Sequence, residues 1–341
     1  MTALLLFAAQ PERITNLRSA AVGLGPGGIS NKGAAALRFT YSHAPSTAVD
    51  ITLVSAHLAA HEPCVQQRNQ DWESLVRRLV FDASTSTGTS ASTNTTTPAP
   101  PHIQSDTSEA TPLLSHAIDS GGGVAPAASG IYSPASHLLV MGDLNYRTAT
   151  SIPTAHDYAH AFPHTEADLP VFLTRDQLSA ERAAGNTLHG LVEAPVTFPP
   201  TYKYATTPQS STTGSSGKAG MWNWARHRWP SWCDRILWLP VGGEVDVVPY
   251  NYTSIPAIAF SDHQPVALHA SLPSLVVGER EGIRARPPFP VDGEWRVKRQ
   301  NAVAREQLVG YAIVGMTTPA GVAVAGCVVF GVVMLWWTIF A

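Results

Sequence analysis

Asp143 and Asn145 stand two residues apart in Gly142-Asp143-Leu144-Asn145-Tyr146-Arg147, directly after the apolar run Leu138–Met141. On an extended segment, residues two apart project from one side. A carboxylate that can take a proton from water would then lie beside an amide that can hold a phosphoryl oxygen. The same residues also suit a turn closed by Asx hydrogen bonds. Ser261-Asp262-His263-Gln264-Pro265-Val266 sets a carboxylate next to an imidazole. Such an Asp can orient the His or join it on a metal; taken alone, the pair reads more simply as a surface loop. His57 and His61 lie four apart in His57-Leu58-Ala59-Ala60-His61-Glu62, a spacing that binds zinc when both sit on one helix face. His57 instead ends a strand-like run and no third ligand accompanies the pair. His57 therefore reads as a donor to a phosphate and His61 as a structural loop residue.

A basic and aromatic group follows: Phe198-Pro199-Pro200-Thr201-Tyr202-Lys203-Tyr204, then Arg226 to Arg235, with Arg228, Trp229, Trp232, Cys233 and Asp234 within it. Arg grips phosphate through its fork and Lys as a point charge. The plain alternative is solvated charge between hydrophobic anchors, but the density of Trp and Pro favours a rigid wall. Gly23–Gly33, GLGPGGISNKG, matches neither phosphate-loop pattern, because Lys32 is followed by Gly and the glycine spacing differs. By itself it is a hairpin turn; Asn31 and Lys32 are the residues in it that could contact a substrate.

The elements that must carry these residues follow from periodicity. Thr52–Ala56 reads as a strand ending at His57, Val65–Phe81 as a helix with Trp72, Leu75, Val76 and Leu79 on one face, and Leu138–Met141 as a buried strand. Ile236–Leu239 and Val245–Val248 read as a strand pair turning at Gly242-Gly243, and Met1–Ala9 as a further buried strand. Residues 84–136 are rich in Ser, Thr, Gly, Ala and Pro, a composition that cannot offset chain entropy by burial. They read as a disordered insertion, and 206–220 as a second flexible loop. Many short strands with few long helices imply a two-sheet α/β sandwich divided as 1–83 and 137–275, with a basic tether at 276–307.

The bulk figures narrow the function classes. The 341 residues include 44% hydrophobic and 14% charged positions, and the net charge is −3. No global basic field invites nucleic acid, so an anionic substrate needs a local basic cluster. Cys64, Cys233 and Cys327 are too few and too scattered for a disulfide framework or a Cys-rich zinc site. Leu308–Ala341 contains no charged residue and is preceded by Arg280, Arg284, Arg286, Arg296, Lys298, Arg299 and Arg305. A run of that length can cross a hydrocarbon core of roughly 30 Å. With the positive flank upstream, the reading is one C-terminal transmembrane helix, a tail anchor that leaves the main domain facing the cytosol.

Taken together and in order, SNKGAAALRF, SAHLAAHE, RNQDW, GDLNYR, FPPTYKY, RWPSWCDRILW and SDHQPV resemble the successive signature blocks of inositol-polyphosphate 5-phosphatases. That family belongs to the superfamily that also holds magnesium-dependent endonucleases. The resemblance covers roughly residues 3–272 and implies a fold of the DNase-I-like type. It implies that Asp143 activates the attacking water, that Asn145, His57 and His263 bind the scissile phosphate, and that Asp262 helps to orient His263. Tyr202, Lys203, Arg226 and Arg228 would grip the 4-phosphate of the inositol ring, and Asn31 and Lys32 would line the same basin. Mg²⁺ is the implied cofactor. Family members begin with an Asn-bearing strand and a Gln-Glu pair whose Glu is the main metal ligand. This sequence starts at about the next strand, and Glu12 lacks the preceding Gln, so the metal ligands are unassigned apart from Asp262 as a candidate. The expectation is an N-terminally incomplete fold with unpaired strand edges and little activity. The reading is therefore a cytosol-facing phosphatase of phosphatidylinositol 4,5-bisphosphate, monomeric and anchored in the endoplasmic reticulum. A phosphoinositide-binding protein without turnover is the alternative. A nuclease is disfavoured by the implied 4-phosphate grip and by the acidic net charge.

Overall fold

The computed structural model describes residues 2–28, 31–44, 47–82, 129–133, 136–206, 222–240, 246–255, 260–274 and 287–340. Strands β1 (Ile14–Gly23), β2 (Gly33–Ala44) and β3 (Thr47–His57) form an antiparallel meander. Helix α1 (Val65–Arg78) follows, and β4 (Ser136–Asp143) lies parallel to β3. After the short helices α2 (Ala155–His160), α3 (Leu169–Leu173) and α4 (Gln177–Ala183), β5 (Asp234–Trp238) runs antiparallel to β4. These five strands make one sheet in chain order. Strands β6 (Val248–Ser254) and β7 (Val266–Ser271) make the second. The expected two-sheet α/β arrangement is present.

Alternation along the strands decides what packs where. Val54 and Ala56 of β3, Leu138 and Val140 of β4 and Leu237 of β5 face one way and bury against Trp72, Leu75 and Val76 of α1. Leu139, Ile236 and Trp238 face the other way and pack with Tyr252 of β6 and Leu268 of β7. The first sheet is thus covered by a helix on one face and by the second sheet on the other. Each fully buried aliphatic side chain in these layers contributes about 1.5–3 kcal/mol. Gly142, at the end of β4, sits at φ +127°, and a Cβ there would lie 2.2 Å from the Ala56 carbonyl oxygen. Only glycine lets β3 and β4 approach closely at the sheet end that carries His57 and Asp143.

Several expectations need correction. Met1–Ala9 is not a strand over its described residues; Leu5 and Phe7 are exposed, and no described strand pairs with the segment. Ile236–Leu239 and the segment at Val248 are not hairpin partners, because β5 joins β4 while β6 joins β7. The buried Tyr252 hydroxyl instead accepts a hydrogen bond from the Ile236 amide, 3.0 Å away, linking the two sheets. Most of 84–136 and of 206–220 lies outside the described residues, but 129–133 belong to the fold. Arg38 of β2, itself buried, donates to Ser129 Oγ (2.7 Å) and to the carbonyls of Gly130 (2.8 Å) and Ile131 (3.2 Å). That clasp seats Ile131 and Tyr132 in the core.

The expected tether is also partly structured. Phe289 packs on the core and Trp295 is buried at the start of helix α5 (Trp295–Thr317). Arg305 of α5 donates to the Gly27 carbonyl, 3.2 Å away. Nor is 308–341 one straight helix. Thr318 is extended before Pro319, as a residue preceding proline tends to be, and helix α6 (Pro319–Phe340) starts there. Among the described residues, no single helix is long and apolar enough to cross a membrane. Trp295–Thr317 and Pro319–Val328, bent by 90°, have the length and composition only as a pair.

Candidate active site

Register brings the chemistry together. Gly33 of β2 pairs with His57 of β3, His57 with Asp143 of β4, and Asp143 with Asp234 of β5. One row across the first sheet therefore ends in His57, Asp143 and Asp234 on neighbouring strands, which lie about 4.8 Å apart. Lys32, directly before Gly33, enters at the same end, and its Nζ donates to His57 Nε2. His263 arrives from the loop before β7. It is placed by Tyr202, which forms isolated backbone bridges to both Ser231 and His263 and whose ring centroid lies 4.6 Å from the imidazole.

The hydrogen bonds fix each group. Asp143 Oδ2 accepts from the Asn145 side-chain amide at 2.8 Å and lies 3.2 Å from His57 Nε2, while Asp143 Oδ1 accepts from the Asn145 backbone at 3.1 Å. Asn145 adopts φ 59°, a left-handed conformation that Asn tolerates better than most residues. Its amide also donates to the Leu58 carbonyl, 3.2 Å away. Both amide hydrogens are thus engaged, and contact with a phosphate requires one of them to be released. His263 Nδ1 lies 2.8 Å from Asp234 Oδ2, which also accepts from Thr201 Oγ1 at 2.8 Å.

Electrostatics follow the same map. Burial works against charging His263, but the hydrogen bond and charge of Asp234, with Asp143 and Asp262 beyond, outweigh it and raise the imidazole's pKa. Burial raises the pKa of Asp234, opposed by its His263 partner. Burial lowers that of Lys32, opposed by Asp143. Cys233, next to Asp234, is fully buried, and burial pushes its thiol well up. It is not placed to serve as a thiolate nucleophile.

The site residues expected from sequence divide clearly. His57, Asp143, Asn145, His263, Tyr202 and Lys32 converge. Asp262 does not orient His263: its carboxylate pairs with Lys203 Nζ at 2.9 Å, while His263 Nδ1 faces Asp234. Asp234 takes the orienting position. From sequence it reads only as part of the basic wall, although the strand-like Ile236–Leu239 directly after Arg235 puts it at a strand end. Arg228 pairs with the buried Glu62 at 2.8 Å and lies 3.3 Å from His61 Nδ1. Arg226 is exposed over the Tyr158 ring, 5.1 Å away, apart from the convergent group. Asn31 is exposed on the hairpin loop. Glu12 is exposed in a short 3-10 turn and takes no part.

Among the described residues, Asp143, Asp234 and His263 each offer a ligand atom, all within 4.8 Å of one another. Two hard carboxylates suit a small divalent ion that keeps part of its water shell. Asp262 lies outside this group, which corrects its candidacy as a ligand.

The model of the family described as "Endonuclease/Exonuclease/phosphatase family 2" matches residues 1–269. The chain belongs to that family. It is 28% identical over 280 residues to the type II inositol 1,4,5-trisphosphate 5-phosphatase of Mus musculus, covering 81% of this chain and 22% of that protein. It is also 28% identical over 236 residues to the polyphosphatidylinositol phosphatase INP53 of Saccharomyces cerevisiae, covering 69% of this chain and 15% of that protein. The chain thus spans about a fifth or less of these relatives. A solved inositol polyphosphate 5-phosphatase domain of SpSynaptojanin, in complex with inositol (1,4)-bisphosphate and calcium ion, is similar at TM-score 0.49 and 22% identity, covering 88% of this chain and 64% of that one.

Proposed function

We propose that this chain hydrolyses the 5-phosphate of phosphatidylinositol 4,5-bisphosphate in a Mg²⁺-dependent reaction, as an inositol-polyphosphate 5-phosphatase. The observation that carries the reading is the row His57, Asp143, Asp234 at one sheet end with His263 set against it. Family membership and the printed names of the relatives support the substrate class. Phosphate-monoester hydrolysis is extremely slow unaided, so the site must place water in line and spread charge from the phosphoryl group. Asp143 takes the proton of the attacking water. His263, whose charged form Asp234 favours, donates to the phosphoryl oxygens; His57 from the end of β3 and Lys32 from directly before β2 approach the same phosphate. Asn145 holds Asp143 and donates to the phosphate once its amide leaves Leu58. Asp234 and Asp143 are the residues that would hold Mg²⁺, whose chemistry when bound is to neutralise phosphoryl and leaving-group oxygens.

Lys203, presented by Asp262, and Arg228, presented by Glu62, bind the adjacent 4-phosphate together with Tyr202; Arg226 and Asn31 lie further out. The apolar α5–α6 segment, with the basic residues Arg296, Lys298, Arg299 and Arg305 at its start, anchors the chain in a membrane, cytosol-facing in the endoplasmic reticulum. The protein works there as a monomer. The test is incubation of the full chain with vesicles containing phosphatidylinositol 4,5-bisphosphate and Mg²⁺. Appearance of the 4-phosphate product supports the reading. Headgroup binding without product replaces it with the binding-only alternative.

A further inference from the structure

Arg147 closes the same loop as Asp143 and Asn145, yet the chemistry above gives it no part. It is only 3% exposed. Its Nε donates to the Asn145 carbonyl at 3.1 Å, and its Nη2 donates to Asn145 Oδ1. The guanidinium lies 4.3 Å from the Tyr202 ring centroid, and that ring in turn contacts His263 at 4.6 Å. The Arg147 backbone amide is itself fixed by Gln177 Oε1, 2.9 Å away. One side chain thus touches the Asn145 that holds Asp143 and the tyrosine that backs His263.

The two ends of the Asn145 amide are chemically opposite. Arg147 offers only donors, while Asp143 Oδ2 and the Leu58 carbonyl offer only acceptors. With the amide reversed, its oxygen would face the Asp143 carboxylate and its NH₂ would face the guanidinium, so every contact would become unfavourable. The forked guanidinium also grips the backbone carbonyl of a residue in the left-handed region. A lysine has one nitrogen and no fork with which to bridge the carbonyl and Oδ1 in that plane.

We propose that Arg147 is a positioning residue: it selects the Asn145 amide orientation that presents NH₂ to Asp143 and braces Tyr202 behind His263. This deepens the phosphatase reading and rests on it. Groups that orient a residue in contact with the reacting atoms change activity by about 10- to 100-fold when removed. The experiment compares wild type, Arg147→Lys, Asn145→Ala and the double variant in Mg²⁺-dependent phosphate release from soluble inositol 1,4,5-trisphosphate. Arg147→Lys lowers kcat by about 10- to 100-fold with little change in KM. In the Asn145→Ala background the same substitution produces a much smaller loss, since coupled residues are not additive. Wild-type kcat in Arg147→Lys, or full additivity with Asn145→Ala, overturns the proposal. A second measurement needs neither a variant nor turnover: NMR of the Asn145 side-chain NH₂ in the folded wild type. Slow exchange is expected from an amide locked onto Asp143 and Leu58, and fast exchange overturns the proposal even if all variants misfold. Absence of wild-type turnover with a protected Asn145 amide refutes the phosphatase reading and leaves the locked amide standing.

Discussion

Replacing Asp234 with Asn separates the two carboxylates that flank His263 in chemistry, although Asp262 is its neighbour in sequence. Asp234 Oδ2 lies 2.8 Å from His263 Nδ1, and both side chains are largely shielded, at 21% and 28% exposure. At that distance and an effective dielectric of about 20, the gross attraction between carboxylate and imidazolium is about 6 kcal/mol. Most of it offsets desolvation, and the net worth of a hydrogen bond to a charged group is about 1.5–3 kcal/mol. At about 1.36 kcal/mol per decade of rate, Asp234→Asn slows turnover by roughly 10- to 150-fold. Asp262, by contrast, is paired with Lys203 at 38% and 25% exposure. Such a pair is worth about 0–1 kcal/mol, so Asp262→Asn costs at most about five-fold. The assay is initial-rate phosphate release from phosphatidylinositol 4,5-bisphosphate vesicles at saturating Mg²⁺, with both variants checked for wild-type melting. Equal losses in the two variants, or a near-normal Asp234→Asn, would refute the assignment of Asp234 as the group that orients His263.

Other predictions test the frame around the site. Arg235 is buried between Asp176 and Glu193, with contacts of 3.0 and 2.7 Å. Arg235→Met leaves Asp176 without an ion pair among the described residues and Glu193 with only Arg182, 3.7 Å away, and lowers stability by about 3–5 kcal/mol, read from the urea midpoint. Gly142→Ala drives a Cβ to within 2.2 Å of the Ala56 carbonyl and yields protein without a cooperative unfolding transition. Hydrogen bonds from the His164 and Thr165 amides, with that of the Thr165 hydroxyl, hold the Asp168 carboxyl below its ordinary pKa. A depressed acid stabilises the fold above its unfolded-state value, and the contribution disappears as pH falls through the folded one. The melting difference between wild type and Asp168→Ala is therefore full near neutrality, begins to shrink below about pH 4, and is lost only once the pH falls through the depressed folded-state value.

What could be read from sequence was what local periodicity determines. The end of β3 at His57, the apolar face of α1 and the strand leading to Asp143 follow from alternation and helical spacing within single segments. The pairing of β5 with β4 rather than β6 did not, because a strand's partner is set by contacts distant in the chain. For the same reason the sequence points to Asp262, adjacent to His263, whereas the carboxylate that meets the imidazole comes from 29 positions away. The clasp of Arg38 on 129–131 and the burial of Trp295 were hidden in stretches whose average composition is that of linkers. The hydrophobic end of the chain was visible by composition, but the break at Pro319 requires weighing one residue against a long apolar run.

Turnover at one ring position decides whether this site is a 5-phosphatase. The measurement is position-resolved product analysis of inositol 1,4,5-trisphosphate incubated with the full chain and Mg²⁺, alongside Asp143→Asn. Wild type yields inositol 1,4-bisphosphate, and Asp143→Asn yields it at a rate about 10²- to 10⁴-fold lower. Tight binding of the substrate with no product from wild type, or product formed equally fast by Asp143→Asn, would contradict it.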